Sequence, residues 1–150
     1  VWVTEDLPLN PPSENGKILL ETEKRYLDSK AHTCILRLGG IYGPERTLEE
    51  RARRLSGRQM EGTGEEATNH IHREDIVHSM VFCLENSLTG VYNLVNDKHP
   101  KRKALYGDLC RAMNLPPPIW NLATTSKNGY MVSNKKIKDA GFIFTHPTLN

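Results

Sequence analysis

Thr33-Cys34-Ile35-Leu36-Arg37-Leu38-Gly39-Gly40-Ile41-Tyr42-Gly43-Pro44 is a short apolar run that ends in a glycine pair and then a Gly-Pro turn. The first six residues include β-branched Thr33 and Ile35 and predict a strand over 33–38. Gly39-Gly40 closes it, so backbone is left open at the strand's carboxyl end. In open α/β sheets a ligand sits in the crevice outside that end. A second informative run, Asn69-His70-Ile71-His72-Arg73-Glu74-Asp75-Ile76, opens a helix further along.

Working outward, residues 1–12 carry Pro8, Pro11 and Pro12 and are expected to form an irregular extended loop. Residues 15–29 are good helix formers, with Ile18, Leu19, Glu21, Tyr26 and Leu27 along one stripe and charges opposite. Thr47-Leu48-Glu49-Glu50 has the form of a capping box and should start a helix that runs to Ser56, before Gly57. Residues 57–70 are polar and glycine-bearing, a loop with one short edge strand. The helix over 74–85 places Ile76, Met80, Val81, Cys83 and Leu84 on one face, and Asp75 in its first turn favours the helix dipole. A strand over 91–95 follows Gly90. Helix 103–113 is stopped by Pro116-Pro117-Pro118. A short helix over 133–140 has Ser133 as N-cap and Gly141 as C-cap, and 142–144 forms a last strand. Helices alternate with strands, which indicates an α/β layered fold. Strands 33–38 and 91–95 each come after a helix, so they should pair in parallel.

The 150 residues suffice for one domain with a core. At 37% hydrophobic and 25% charged, they describe a globular chain and exclude a disordered one. A net charge of +2 gives no electrostatic footprint for nucleic acid. The basic groups at Lys101-Arg102-Lys103 and Lys135-Lys136 are short and read as solvated surface. No apolar window is long enough to span a membrane, and no signal-peptide pattern opens the chain. Cys34, Cys83 and Cys110 lack paired spacing and fall in apolar patterns. They are expected to be free thiols in a reducing, cytoplasmic setting, or a plastid in a photosynthetic eukaryote.

The two runs together resemble the latter half of an extended short-chain dehydrogenase/reductase, the nucleotide-sugar epimerase/dehydratase superfamily. In that family a Tyr sits four residues before a helical Lys, which holds the nicotinamide ribose and lowers the Tyr pKa. Lys17, Glu21, Arg37 and Tyr42-Gly43-Pro44 match the family's spacing from that Lys to the strand and turn after it, but Ser13 stands where the Tyr would be. Tyr26-Leu27-Asp28-Ser29-Lys30 satisfies Tyr-x-x-x-Lys literally. Its Lys lies too close to Arg37 to leave room for a helix end and loop, so Tyr26 is assigned to packing. The missing Tyr resembles the atypical extended reductases, as do Asn69-x-Ile71-His72-x-x-Asp75, Gly90-Val91-Tyr92-Asn93-Leu94 with Asp97, and Ser133-Asn134 leading to Ala140-Gly141-Phe142.

The resemblance implies the latter half of a Rossmann-type parallel sheet with a small α/β substrate lobe. Residues 1–150 would then be the carboxyl-terminal portion of one NAD(P)-binding domain, without the Gly-rich pyrophosphate loop and not expected to bind NAD or NADP tightly alone. The implied activity is hydride transfer at a carbonyl or alcohol carbon of a small-molecule substrate, by a homodimer of the intact protein. The alternative is a dinucleotide-dependent sensor or scaffold that has lost the Tyr. Ser13 or a bound water would handle the proton, and Lys17 would hold the ribose. The backbone of Gly39, Gly40, Ile41 and Tyr42 would border the nicotinamide, since glycine removes the Cβ obstacle. Two bland readings stand beside these: Lys17 as a solvated first-turn lysine, and Gly39-Gly40 as a plain tight turn. His70, His72 and Asp75 suggest metal ligands, but no third strong ligand stands at a usual spacing, and the motif is read as setting a helix start. No metal is expected.

Overall fold

The computed structural model describes residues 1–121 and 129–149. In chain order the elements are β1 (Trp2–Val3), α1 (Glu14–Leu27), β2 (Cys34–Leu38), β3 (Gly40–Tyr42), α2 (Leu48–Leu55), β4 (Gln59–Met60) and β5 (His70–His72). They continue as α3 (Arg73–Glu85), β6 (Gly90–Leu94), α4 (Arg102–Ala112), β7 (Ile119–Trp120), β8 (Met131–Val132) and α5 (Lys135–Asp139). Among the described residues all four ladders are parallel: β2 with β6, β3 with β5, β1 with β8 and β4 with β7. The expected pairing is present, in the register Cys34 opposite Gly90 through Leu38 opposite Leu94. This is a mixed α/β arrangement of Rossmann-like parallel strands.

The main core gathers Ile71, Tyr92, Leu94, Ile137, Phe142 and Phe144, with Cys34, Leu36, Ile41 and Ile76 packed against it. A second cluster, Ala52, Tyr106 and Cys110 with Leu55, Leu109 and Met113, joins α2 to α4. Both helices obey their sequence signals. The Thr47 hydroxyl accepts from the Glu50 amide at 3.1 Å, which starts α2 as the capping pattern requires. Cys34, Cys83 and Cys110 are all free thiols, with Cys83 and Cys110 buried. Burial, with the neighbouring Cys34, pushes the Cys83 thiol up to about 12, so it stays protonated. No described helix is long and apolar enough to cross a membrane.

Four expectations are corrected. Residues 1–12 are not wholly irregular, because Trp2 and Val3 pair with Met131 and Val132, a partner far along the chain. The 142–144 stretch is not a strand. Phe142 and Phe144 are buried and Ile143 is 85% exposed, so the chain has a strand's alternation without a partner strand among the described residues. The buried face of α3 is Asp75, Ser79 and Cys83, whereas Met80, Val81 and Leu84 are exposed. Its inward face carries polar Asp75 and Ser79 while apolar Val77, Met80, Val81 and Leu84 face outward, so the apolar period does not determine which side turns inward. Finally, no residue of α1 is buried: Ile18, Leu19 and Tyr26 are all at least 60% exposed. An apolar stripe records that a layer is needed to cover it, and no described element supplies one.

Candidate functional site

The carboxyl ends of β2 and β6 meet at Gly39. Its amide donates to Leu94 O at 3.1 Å, and that of Gly40 donates to Asn69 O at 2.7 Å. Both amides are therefore consumed inside the fold, and a cofactor edge lying there would meet Cα–H and carbonyl atoms. The glycine pair also has a packing reason. A Cβ on Gly39 would stand 2.8 Å from Asn69 O and 2.9 Å from Val95 Cγ1, and one on Gly40 would stand 3.2 Å from His70 Cδ2. Glycine is needed so that this turn and β5 can approach each other. Ile41 is half-buried in β3. Tyr42 is buried beside it, and its hydroxyl donates to Thr148 O at 2.9 Å and accepts from Asn96 Nδ2 at 3.2 Å. Burial raises the Tyr42 pKa above its ordinary value, so the phenol is a neutral tether for the chain end.

Ser13 and Lys17 stand together at the start of α1. Ser13 is the N-cap: its Oγ accepts from the Gly16 amide at 3.2 Å, which leaves the hydroxyl hydrogen free to donate. Lys17 Nζ pairs with Glu14 at 2.7 Å, with the lysine side chain 58% exposed. An exposed pair of this kind contributes little and exchanges readily. Glu23, one α1 turn beyond Leu19, meets Arg37 of β2 in a two-pronged ion pair at 2.6 to 3.2 Å, half-buried on both sides. That pair fixes α1 against β2 and so sets where Ser13 and Lys17 lie relative to the strand ends. Gly16, Glu23 and Arg37, with Leu7, Leu9 and Tyr130, border a cleft of about 580 Å³ under the opening segment.

His70, His72 and Asp75 do not form one cluster. His70 is buried with Nδ1 unpartnered, and burial with the nearby Arg51 charge lowers its pKa to about 4. Asp75 is fully buried, and its two oxygens accept from the Thr145 amide at 2.7 Å and the His146 amide at 3.0 Å. It therefore clamps the chain end and does not cap its own helix. That cap comes from His72 Nδ1, which accepts from the Glu74 amide at 3.3 Å. His72 instead joins Glu74 and His146. The two imidazoles stack at a 32° tilt with centroids 3.7 Å apart, and His146 Nε2 is 2.8 Å from Glu74 Oε2. Burial, then the neighbouring His146, lowers the His72 pKa. The hydrogen bond from His146 holds the Glu74 carboxyl below its ordinary value. Sequence reasoning missed His146 and Asn96, whose side-chain amide reaches Tyr42, His146 O and Thr148 O. No local signal marks either one, because their partners are 50 or more residues away.

No protein-family model matches the chain. YeeZ of Escherichia coli K12 is 30% identical over 149 residues, covering 97% of this chain and 53% of YeeZ. A conserved Silicibacter pomeroyi protein of unknown function superposes with a TM-score of 0.83 at 23% identity, covering 99% of this chain and 57% of that one. A Methylobacillus flagellatus protein provisionally named an NAD-dependent epimerase/dehydratase gives 0.78 at 22%, covering 98% and 54%. The dTDP-glucose 4,6-dehydratase of Bacillus anthracis, solved with NAD, gives 0.71 at 16%, covering 93% and 49%. The chain thus has the Rossmann-like fold of the NAD-dependent epimerase/dehydratases, and it spans about half the length of the proteins it matches.

Proposed function

We propose that these residues are the substrate-side half of an NAD(P)-dependent oxidoreductase or epimerase. Such a protein would transfer a hydride to or from a carbonyl or alcohol carbon of a small molecule, as a homodimer in the cytoplasm. The observation that carries this reading is the β2–β3 turn at the carboxyl ends of two parallel strands, with Arg37–Glu23 tying the Lys17 helix to the same strand. The residues present fit the ribose and nicotinamide end of the cofactor. Lys17 has an exposed ammonium whose present partner is easily given up, and the turn from Gly39 to Tyr42 offers a wall without side chains at its first two positions. When bound, the nicotinamide supplies hydride acceptance and donation. Lys17 would hold the ribose hydroxyls, and the backbone from Gly39 to Tyr42 would border the ring. Ser13, four residues before Lys17 and accepting from the Gly16 amide, would give or take a proton directly or through a water.

A specific observation favours a second reading, a dinucleotide-dependent sensor or scaffold. Ser13 is engaged as a helix cap, and the buried Tyr42 phenol is tied to Thr148 and Asn96. Binding of NAD(H) and NADP(H) to the full-length protein, then a hydride-transfer screen over aldehydes, ketones and alcohols, separates the two. Binding with turnover supports the enzyme, and binding without turnover supports the sensor. Absence of binding to the full-length protein would overturn both.

A further inference from the structure

We propose that His72, Glu74 and His146 form a site for one divalent transition ion of the zinc class. The three side chains come from three places: the end of β5, the first turn of α3, and the chain end. Each offers one ligand atom, and these atoms lie within 4.8 Å of one another. A tetrahedral ion bound at about 2.1 Å would place its donors about 3.4 Å apart. His146 Nε2 and Glu74 Oε2 are already closer than that, at 2.8 Å. The remaining closure falls to His146 and Glu74, whose side chains are 27% and 53% exposed and have room to rotate.

Before any ion arrives the His72 ring and the His146 backbone are held in place, and the His146 ring turns off its stack to aim at the shared ion. His72 is buried, with Tyr42 edge-on at 5.1 Å and His146 against its face at 3.7 Å. The His146 backbone is fixed by Asp75, and its carbonyl accepts from Asn96 Nδ2 at 2.6 Å. This supporting layer orients ligands without itself binding the ion. Two imidazoles and one carboxylate suit zinc and its neighbours, whereas magnesium and calcium prefer oxygen ligands. To bind the ion, His146 presents a bare Nε2 lone pair, the hydrogen that bridges to Glu74 moving to Nδ1 through solvent, so a neutral imidazole releases no net proton. With three protein ligands, the ion's fourth position would be taken by water. The ion would clasp the chain end to β5 and α3, adding a side-chain bond to the tethers supplied by Asp75, Tyr42 and Asn96. This inference does not rest on the cofactor reading.

The test is calorimetric titration of zinc chloride into chelator-stripped full-length protein, repeated with cobalt chloride to read the ligand-field spectrum. One equivalent should bind, the cobalt complex should show nitrogen-and-oxygen coordination, and zinc should raise the unfolding temperature. Glu74→Gln, at a solvent-facing position, should weaken binding by about tenfold or more. His146→Phe keeps a ring stacked on His72 while removing the ligand atom, and should abolish one-equivalent binding. Circular dichroism checks that both variants are folded. Failure of the parent protein to bind zinc, or binding unchanged in both folded variants, would overturn the proposal.

Discussion

Asp75→Ala removes the two acceptors that hold Thr145 and His146, and with them the strongest tether of the chain end. Each bond is made to a fully buried carboxylate by a backbone amide, at 2.7 and 3.0 Å. Hydrogen bonds to a charged group contribute about 1.5–3 kcal/mol each. Thr145 is exposed and His146 half-buried, so water can reach the freed amides and the lower figure applies. The expected loss is about 3 kcal/mol, or roughly 6–12 °C in melting temperature for a domain of this size. Phe142 and Phe144 just upstream belong to the main core, so loosening the tether should also raise their exposure. Asp75→Asn should cost about half as much, since it keeps one acceptor but turns an N–H toward the other amide. Urea unfolding at neutral pH, with the denaturant slope compared between variants, reads both values. A loss below about 1 kcal/mol for the alanine variant, or an asparagine variant as stable as the parent, would show that these bonds do not hold the chain end.

Three further outcomes are expected. Gly39→Ala places a methyl 2.8 Å from a backbone oxygen that belongs to the adjoining β5 segment, so it should cost about 1–3 kcal/mol in chemical denaturation; an unchanged midpoint would refute the packing reason for this glycine. His70 is held near pKa 4 in the folded chain against 6.5 in the open chain. The unfolded state therefore binds the extra proton between those values, so stability present above pH 6.5 is lost as pH falls toward 4, by about 1 kcal/mol per pH unit near pH 5. His70→Gln should flatten that slope by nearly one proton, leaving what His72 and His99 contribute, and an unchanged slope in a pH-dependent unfolding series would count against it. Lys17→Ala should leave stability within about 0.5 kcal/mol, because its pair with Glu14 is exposed, yet weaken nicotinamide-cofactor binding to the full-length protein by about tenfold or more. Equal cofactor affinity in the two proteins would remove Lys17 from the site.

The sequence alone determined what depends on neighbours along the chain. The α2 cap at Thr47 and the helix over Arg73–Glu85 are properties of continuous runs of chain, and the parallel pairing of β2 with β6 follows from the helix that precedes each strand. The apolar period of α1 was equally legible, but period says only that a face needs cover, and Ile18, Leu19 and Tyr26 stand exposed among the described residues. Ser13 and Lys17 could be placed on one helix start, whereas their coupling to the strand ends through Glu23 and Arg37 required the folded distance. Only the tertiary structure decided how the histidines are divided. A spacing of two residues suggested His70 with His72, yet they part company. His72 closes on Glu74 and on His146, a residue 74 positions away that the Asp75 carboxylate and the Asn96 amide bring to it. The glycine pair was ambiguous for the same reason, since what a Cβ at Gly39 would strike belongs to Asn69 and Val95. Side-chain contacts between distant segments leave no local pattern, because each partner satisfies its own stretch of chain equally well without the other.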